Sequence, residues 1–211
     1  MMTRDRFESG ADFEQYLTMV EKNRELWRGV WDRVVVPPDI AGRVGEMEGT
    51  WHLLALSEDW CGDAVNLLPL VARLAQAVPG LSFRVLGRDD NLDLMDAHLT
   101  GTSRSIPVVI IYDETFQERG WWGPRPAPIQ RWVREEGLQL PSDERYREIR
   151  RWYARDRGRT TLEEIATLLE SAAGATMVPS GPPALEGGEL AAKPVPATAA
   201  GTPRTSGGDP A

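Results

Sequence analysis

Apolar residues at Phe13, Tyr16, Leu17, Val20, Trp27, Val30, Trp31 and Val34 recur at the three-to-four-residue spacing of one helix face. Asp12 can act as an N-cap with Gln15 three positions on, the pattern of a capping box, and Pro37-Pro38 closes the run. The pattern predicts one amphipathic helix of about 22 residues with Trp27 and Trp31 turned to the core. Residues 39–50, rich in Gly and charge, then read as a connector.

The middle of the chain alternates between short apolar runs and helical periods. Strands are predicted over 51–56 and 81–86, with helices over 61–78 and 92–99. Strand, helix, strand implies a parallel pair. Residues 107–112, a turn at Asp113 and Glu114, and the run 115–122 instead fit an antiparallel hairpin, so the sheet is mixed. Further helices are predicted over 127–135, from Ser142 with Tyr146, Ile149, Trp152 and Tyr153 on one face, and from Thr160. Thr160 and Glu163 read as a capping box, with Leu162, Ile165, Ala166, Leu168 and Leu169 as a buried face. From about Gly174 the chain is dominated by Pro, Gly and Ala without aromatics or an apolar period, which predicts disorder. The expected organisation is a helical extension over 1–50, a core over 51–136, C-terminal helices packed on it over 137–173, and a disordered tail over 174–211.

Composition narrows the function classes. A net charge of −8, from 24 basic and 32 acidic residues, argues against nucleic acid held by a broad basic surface. No apolar run approaches the ~18 residues of a membrane span, and residues 1–10 are charged and polar where a leader would be apolar. A cytoplasmic protein binding neither nucleic acid nor membrane is expected. The single cysteine, Cys61, excludes an internal disulfide, and two distant histidines, His52 and His98, give little from which to build a metal site. No metal or bound cofactor is expected.

The chemistry centres on residues 53–70, where an apolar strand ends in Ser57-Glu58-Asp59, Trp60 and Cys61 follow, and a helix begins at once. Unpaired N–H groups and the positive end of a helix dipole stabilise a thiolate in that position. Asp59 and Asp63 oppose the effect by repulsion. The balance is expected to favour an activated thiol.

Trp60-Cys61-Gly62-Asp63-Ala64 resembles the Trp-Cys-x-x-Cys motif of the thioredoxin family, and Pro69 matches the proline that kinks that family's active-site helix. Ser105-Ile106-Pro107 before 108–111 is similar to the family's Ile-Pro signature, whose proline is cis and faces the cysteine. Gly123 falls where the family carries a glycine. Residues 87–96, Arg104-Ser105-Ile106-Pro107, Trp122-Gly123-Pro124-Arg125-Pro126 and 152–161 resemble a bacterial subgroup. The resemblance implies an α/β thioredoxin-like fold, with Cys61 as nucleophile, Trp60, Gly62, Asp63 and Ala64 as its loop, and Ile106 and Pro107 as a substrate platform.

The departures bear on mechanism. Ala64 stands where the resolving cysteine would be, Ala55 where the buried acid would be, and Val85 where its lysine neighbour would be. Three functions fit what remains. In monothiol exchange, Cys61 attacks a disulfide-containing protein or a small-molecule mixed disulfide, and an external low-molecular-weight thiol resolves the product. In a redox-inactive binding module, the platform holds an extended partner segment. In a peroxide-reactive protein, Cys61 becomes a sulfenic acid, with Arg104 as candidate anion or thiol contact. Arg88-Asp89-Asp90-Asn91 reads as helix capping, the Arg-rich run 145–159 as a solvated, salt-bridged face, and at least one of Trp121 and Trp122 as core.

Overall fold

The computed structural model describes residues 2–174. Four short helices come first: α1 (Arg4–Glu8), α2 (Phe13–Met19), α3 (Arg24–Trp31) and α4 (Pro38–Gly45). Then follow β1 (Trp51–Ser57), α5 (Gly62–Ala77), β2 (Leu81–Gly87), α6 (Leu92–Asp96), β3 (Val108–Tyr112) and β4 (Glu118–Trp122). The chain continues through α7 (Ala127–Glu135), a 3-10 turn (Gly137–Gln139), α8 (Ser142–Asp156) and α9 (Arg159–Gly174). The Pro-, Gly- and Ala-rich segment 175–211, for which disorder is expected, lies outside the described residues. Among the described residues, no helix is long and apolar enough to cross a membrane.

The sheet is mixed, in the order β2-β1-β3-β4. β1 runs parallel to β2 and antiparallel to β3, and β4 is antiparallel to β3. β1 and β3 are buried at every position, because a central strand covered on both faces tolerates an unbroken apolar run. β2 alternates, turning Leu81, Phe83 and Val85 inward. α5 lies along β2 and against α3 and α9, and its interior run from Ala64 to Leu74 forms the apolar middle of the molecule. Trp121 and Trp122 are both core residues.

The N-terminal segment departs from the single helix its period predicts. The Asp12–Gln15 capping box forms, but the chain breaks after Met19, with Val20 extended and Asn23 left-handed, and restarts as α3. The break is held from outside, since the Asp59 carboxylate accepts the N–H groups of Glu21 (2.9 Å) and Lys22 (2.8 Å). Bending there lets both halves keep their apolar faces on one core: Phe13 lies 4.8 Å from Trp31, and Tyr16 meets Trp27 edge-on at 5.3 Å. The expected connector 39–50 is largely α4, begun by Pro38 at its first turn and anchored by buried Ile40 and Val44 one turn apart. α1 was also not expected. Its Phe7 packs on His52 and Phe116, and Ala11 exchanges both backbone hydrogen bonds with Val85 of β2.

At the other end, α9 starts at Arg159 and the expected Thr160–Glu163 capping box gives way to Asp156, whose carboxylate accepts the Thr160 N–H at 3.1 Å. Left-handed Arg157 and Gly158 turn the chain back so tightly that the end of α8 caps α9. Ile149 and Tyr153 of α8 are buried, whereas Tyr146 of the same expected face is exposed.

Gly123 links the sheet to the loop before β3. Its φ is +139°, and a Cβ there would overlap the carbonyl oxygen of Pro107. Gly123→Ala is therefore expected to lower unfolding stability by about 3 kcal/mol, measured by chemical denaturation. A change within error would mean that the approach of these two backbones is easily relaxed.

Candidate functional site

β1 delivers the chain to the turn 58–61, where Cys61 forms the N-cap of α5 with extended backbone. The Ala64 N–H points at Sγ from 3.5 Å, and the thiol donates to the Ile106 carbonyl at 3.4 Å. The Ile106–Pro107 peptide bond is cis, and both residues are buried. Cys61 is 7% exposed. Burial pushes its thiol up, and Asp63 adds to that, while the Ala64 N–H and the Arg125 cation pull the other way without prevailing. The activation expected from the helix N-terminus is thus reversed. The N–H groups are in place, but the sulfur has left water and shares its helical turn with a carboxylate.

Trp60 is 45% exposed, and the Arg88 guanidinium lies 5.1 Å from its ring centroid. Gly62 is exposed at the first position of α5, with open space where a side chain would be. Asp63 and Ala64 are buried in the first turn of the helix rather than in a loop. Arg104, expected as an anion or thiol contact, has its guanidinium committed to Asp96 through two hydrogen bonds of 2.6 and 2.9 Å. Ala55 and Val85 are register partners on β1 and β2, so the two positions that lack proton-handling groups form one apolar pair.

The N-terminal helices brace the cysteine turn, a role the sequence reading missed. Besides holding Glu21 and Lys22 through its carboxylate, Asp59 accepts the Trp27 indole N–H at its carbonyl (3.0 Å). Glu58 accepts the Asp89 N–H at 3.0 Å, tying the turn to the end of β2. Burial works against the ionised Asp59, but the N–H groups of Lys22 and Glu21 outweigh it and the carboxyl sits below its ordinary value.

A second group missed from sequence is built on Asp63, in the helical turn that Cys61 caps. The Asp63 carboxylate, 6% exposed, meets the Arg125 guanidinium at 2.5 Å and accepts the Tyr153 hydroxyl at 2.7 Å. The signal was present in two separate stretches, around Trp122-Gly123-Pro124-Arg125 and Trp152-Tyr153. Each stretch carries part of the family resemblance, but their convergence on one carboxylate is visible only in the fold. Among the described residues, no cluster of three His, Cys, Asp or Glu side chains is placed to hold a metal ion.

A four-stranded mixed sheet with a cysteine capping the helix after its central strand, opposite an Ile-Pro turn, defines a thioredoxin-like protein. The family model described as thioredoxin matches residues 10–153, and the chain belongs to the thioredoxin family. Among solved structures, it is similar to the crystal structure of PA1234, a protein of unknown function from Pseudomonas aeruginosa. That likeness has a TM-score of 0.65 and 18% identity over 82% of this chain and 99% of the other. A crystallised HIV epitope scaffold, 4E10, is similar at a TM-score of 0.65 and 17% identity, over 83% of this chain and all of its own. At these identities the likeness speaks for the fold. No curated protein matches the chain.

The segment leading from α6 to Ile106 is pinned by buried His98. Nδ1 faces the Leu94 carbonyl at 2.6 Å, and Nε2 faces the Glu118 carboxylate at 2.9 Å. Both partners are acceptors, an arrangement that favours the protonated ring, in which both nitrogens donate. Burial lowers its pKa, but Glu118 and the Leu94 carbonyl outweigh that and the net direction is up. A raised folded pKa means stability fully present below the unfolded value of about 6.5. That contribution is lost as pH rises through the folded value. Denaturation from about pH 6 to about pH 9 should show this decline, and His98→Gln should flatten it. An unchanged slope in the variant would assign the pH dependence elsewhere.

Proposed function

We propose that Cys61 is the nucleophile of a monothiol thiol–disulfide exchange, resolved by an external low-molecular-weight thiol. The observation that carries this reading is the seat of the sulfur, at the N-cap of α5 beside the Ala64 N–H and against the Ile106–Pro107 turn. The first step is loss of the thiol proton to solvent, which frees Sγ from the Ile106 carbonyl. The thiolate attacks one sulfur of a substrate disulfide, and the other sulfur leaves as a thiolate that takes up a proton. A thiolate of the small external thiol then attacks the Cys61 mixed disulfide and regenerates Cys61. For a mixed disulfide between a protein and a glutathione-type thiol, Cys61 takes over the small-thiol moiety and frees the protein thiol, and one external molecule of the small thiol joins that moiety to give the small-molecule disulfide. Ala64 cannot perform the resolving step, which is why the second thiol comes from outside.

The resting thiol is neutral, so exchange is slow near neutrality and accelerates with pH. A specific observation favours a second reading, a redox-inactive binding module: the sulfur is buried, and Ala55 and Val85 offer no group to take its proton. The peroxide reading loses the cation it relied on, since Arg104 is engaged by Asp96. A disulfide-containing protein or a small-molecule thiol is the partner class the exchange reading requires.

Alkylation of Cys61 should be measured against pH with Cys61→Ser as the blank. The rate is expected to climb about tenfold per pH unit and to reach its midpoint above the ordinary thiol value of about 8.5. Incubation with an oxidised small-molecule disulfide should yield a Cys61 mixed disulfide that the matching thiol releases, and Ala64→Cys should gain disulfide reductase activity. Failure of both, in folded protein, would overturn exchange and leave the binding module, whose partner capture would survive Cys61→Ser.

A further inference from the structure

Asp63 stands two positions after Cys61, in the first turn of α5. A carboxylate this deep is costly unless each oxygen finds a donor. Both donors come from distant parts of the chain: Arg125 Nη2 reaches Oδ2 from the turn between β4 and α7, and the Tyr153 hydroxyl reaches Oδ1 from α8. Arg125 is itself only partly satisfied. Its Nη1 donates to the Gln130 side chain at 3.1 Å, whereas its buried Nε has no partner among the described residues. Burial weighs against this cation, and Asp63 is what keeps it charged there.

Asp63 shares the first turn of α5 with the N-cap Cys61 and holds Arg125 against it, so a carboxylate and a guanidinium act on the sulfur with opposite sign. The other ionisable neighbours are fixed. Tyr153 is pushed far up by burial and by Asp63, and Tyr16, from α2, is pushed up to about 12 by burial, so both phenols stay neutral. Asp59 spends its carboxylate on Glu21 and Lys22.

We propose that Tyr153, Asp63 and Arg125 form a positioning network for Cys61, in which α8 controls, through one carboxylate, how much of the Arg125 charge reaches the sulfur. The proposal rests on Cys61 being the reactive group named above, though not on exchange being its reaction. With both donors on Asp63, the guanidinium charge is largely spent on the carboxylate, and the thiol keeps its proton. Taking the charge off Asp63 leaves Arg125 unopposed and favours the thiolate. Taking away Arg125 or the Tyr153 hydroxyl leaves more of the Asp63 charge facing the sulfur and favours the thiol.

The test is the midpoint of Cys61 alkylation against pH in full-length Asp63→Asn, Arg125→Gln and Tyr153→Phe, with folding checked by circular dichroism. Asp63→Asn is expected to lower the midpoint by about one unit, giving about tenfold faster labelling at pH 7. Arg125→Gln is expected to raise it, and Tyr153→Phe to raise it less. Loosening of the structure alone would expose the sulfur and move every variant down, so opposite signs separate positioning from damage. Should Arg125→Gln fail to fold, Tyr153→Phe supplies the upward arm. Midpoints that move in the same direction, or do not move, overturn the network. The mixed-disulfide assay on the unaltered protein is independent: shifted midpoints without exchange leave the network standing and remove the exchange reading.

Discussion

Asp63 enters the interior as part of the first turn of α5, and the ion pair it makes there with Arg125 ties together the parts of the molecule that surround the sulfur. Leaving one partner of such a pair buried alone costs several kcal/mol, roughly 3–5 in measured cases. The turn after β4 must therefore bring Arg125 to α5, and α8 must fold back so that Tyr153 reaches the same carboxylate. Helices that could pass for packing material around a four-stranded core thereby become parts of the site. The cysteine is surrounded by contributions from the N-terminal helices, the sheet, the turn after β4 and α8.

The elements legible in the sequence were those whose period is fixed by burial on one core. β1, β2, α5, α7 and the β3–β4 pair fall within a few residues of expectation, because their apolar positions answer to a sheet or helix period and nothing else competes. The misreadings came where a distant group overrode the local pattern. A continuous helical period from Phe13 to Val34 hides a break, because the residue that holds the break open is Asp59, across the fold. Thr160 looked like a cap until Asp156 occupied that place. α4 was disguised by Gly42 and Gly45, although Ile40 and Val44 supply its buried spacing.

The site divides in the same way. That Cys61 caps a helix could be read from the strand, turn and helix around it. That its sulfur is buried, with a neighbouring carboxylate neutralised from two directions, could not, since both facts depend on pairs remote in sequence, such as Asp63 with Tyr153. Local reading assigns Asp63 only a repulsive role toward a thiolate. In the fold that role is set by Arg125, whose charge would act in the opposite sense without the carboxylate. The apolar pair Ala55 and Val85 completes the picture of a thiol with no base on the sheet side.

The pairing of Ala11 with Val85 has a colloidal consequence. β2 is an outer strand, and an outer strand with free backbone groups is a template on which other chains can assemble. Here the chain's own N-terminal residues take up Val85, while the opposite outer strand, β4, begins with the charged pair Glu118 and Arg119. The two rims of the sheet are thus guarded by different means, one by self-coverage and one by charge. Loss of the chain through Ala11 would remove the first guard and leave β2 open to strand-by-strand aggregation.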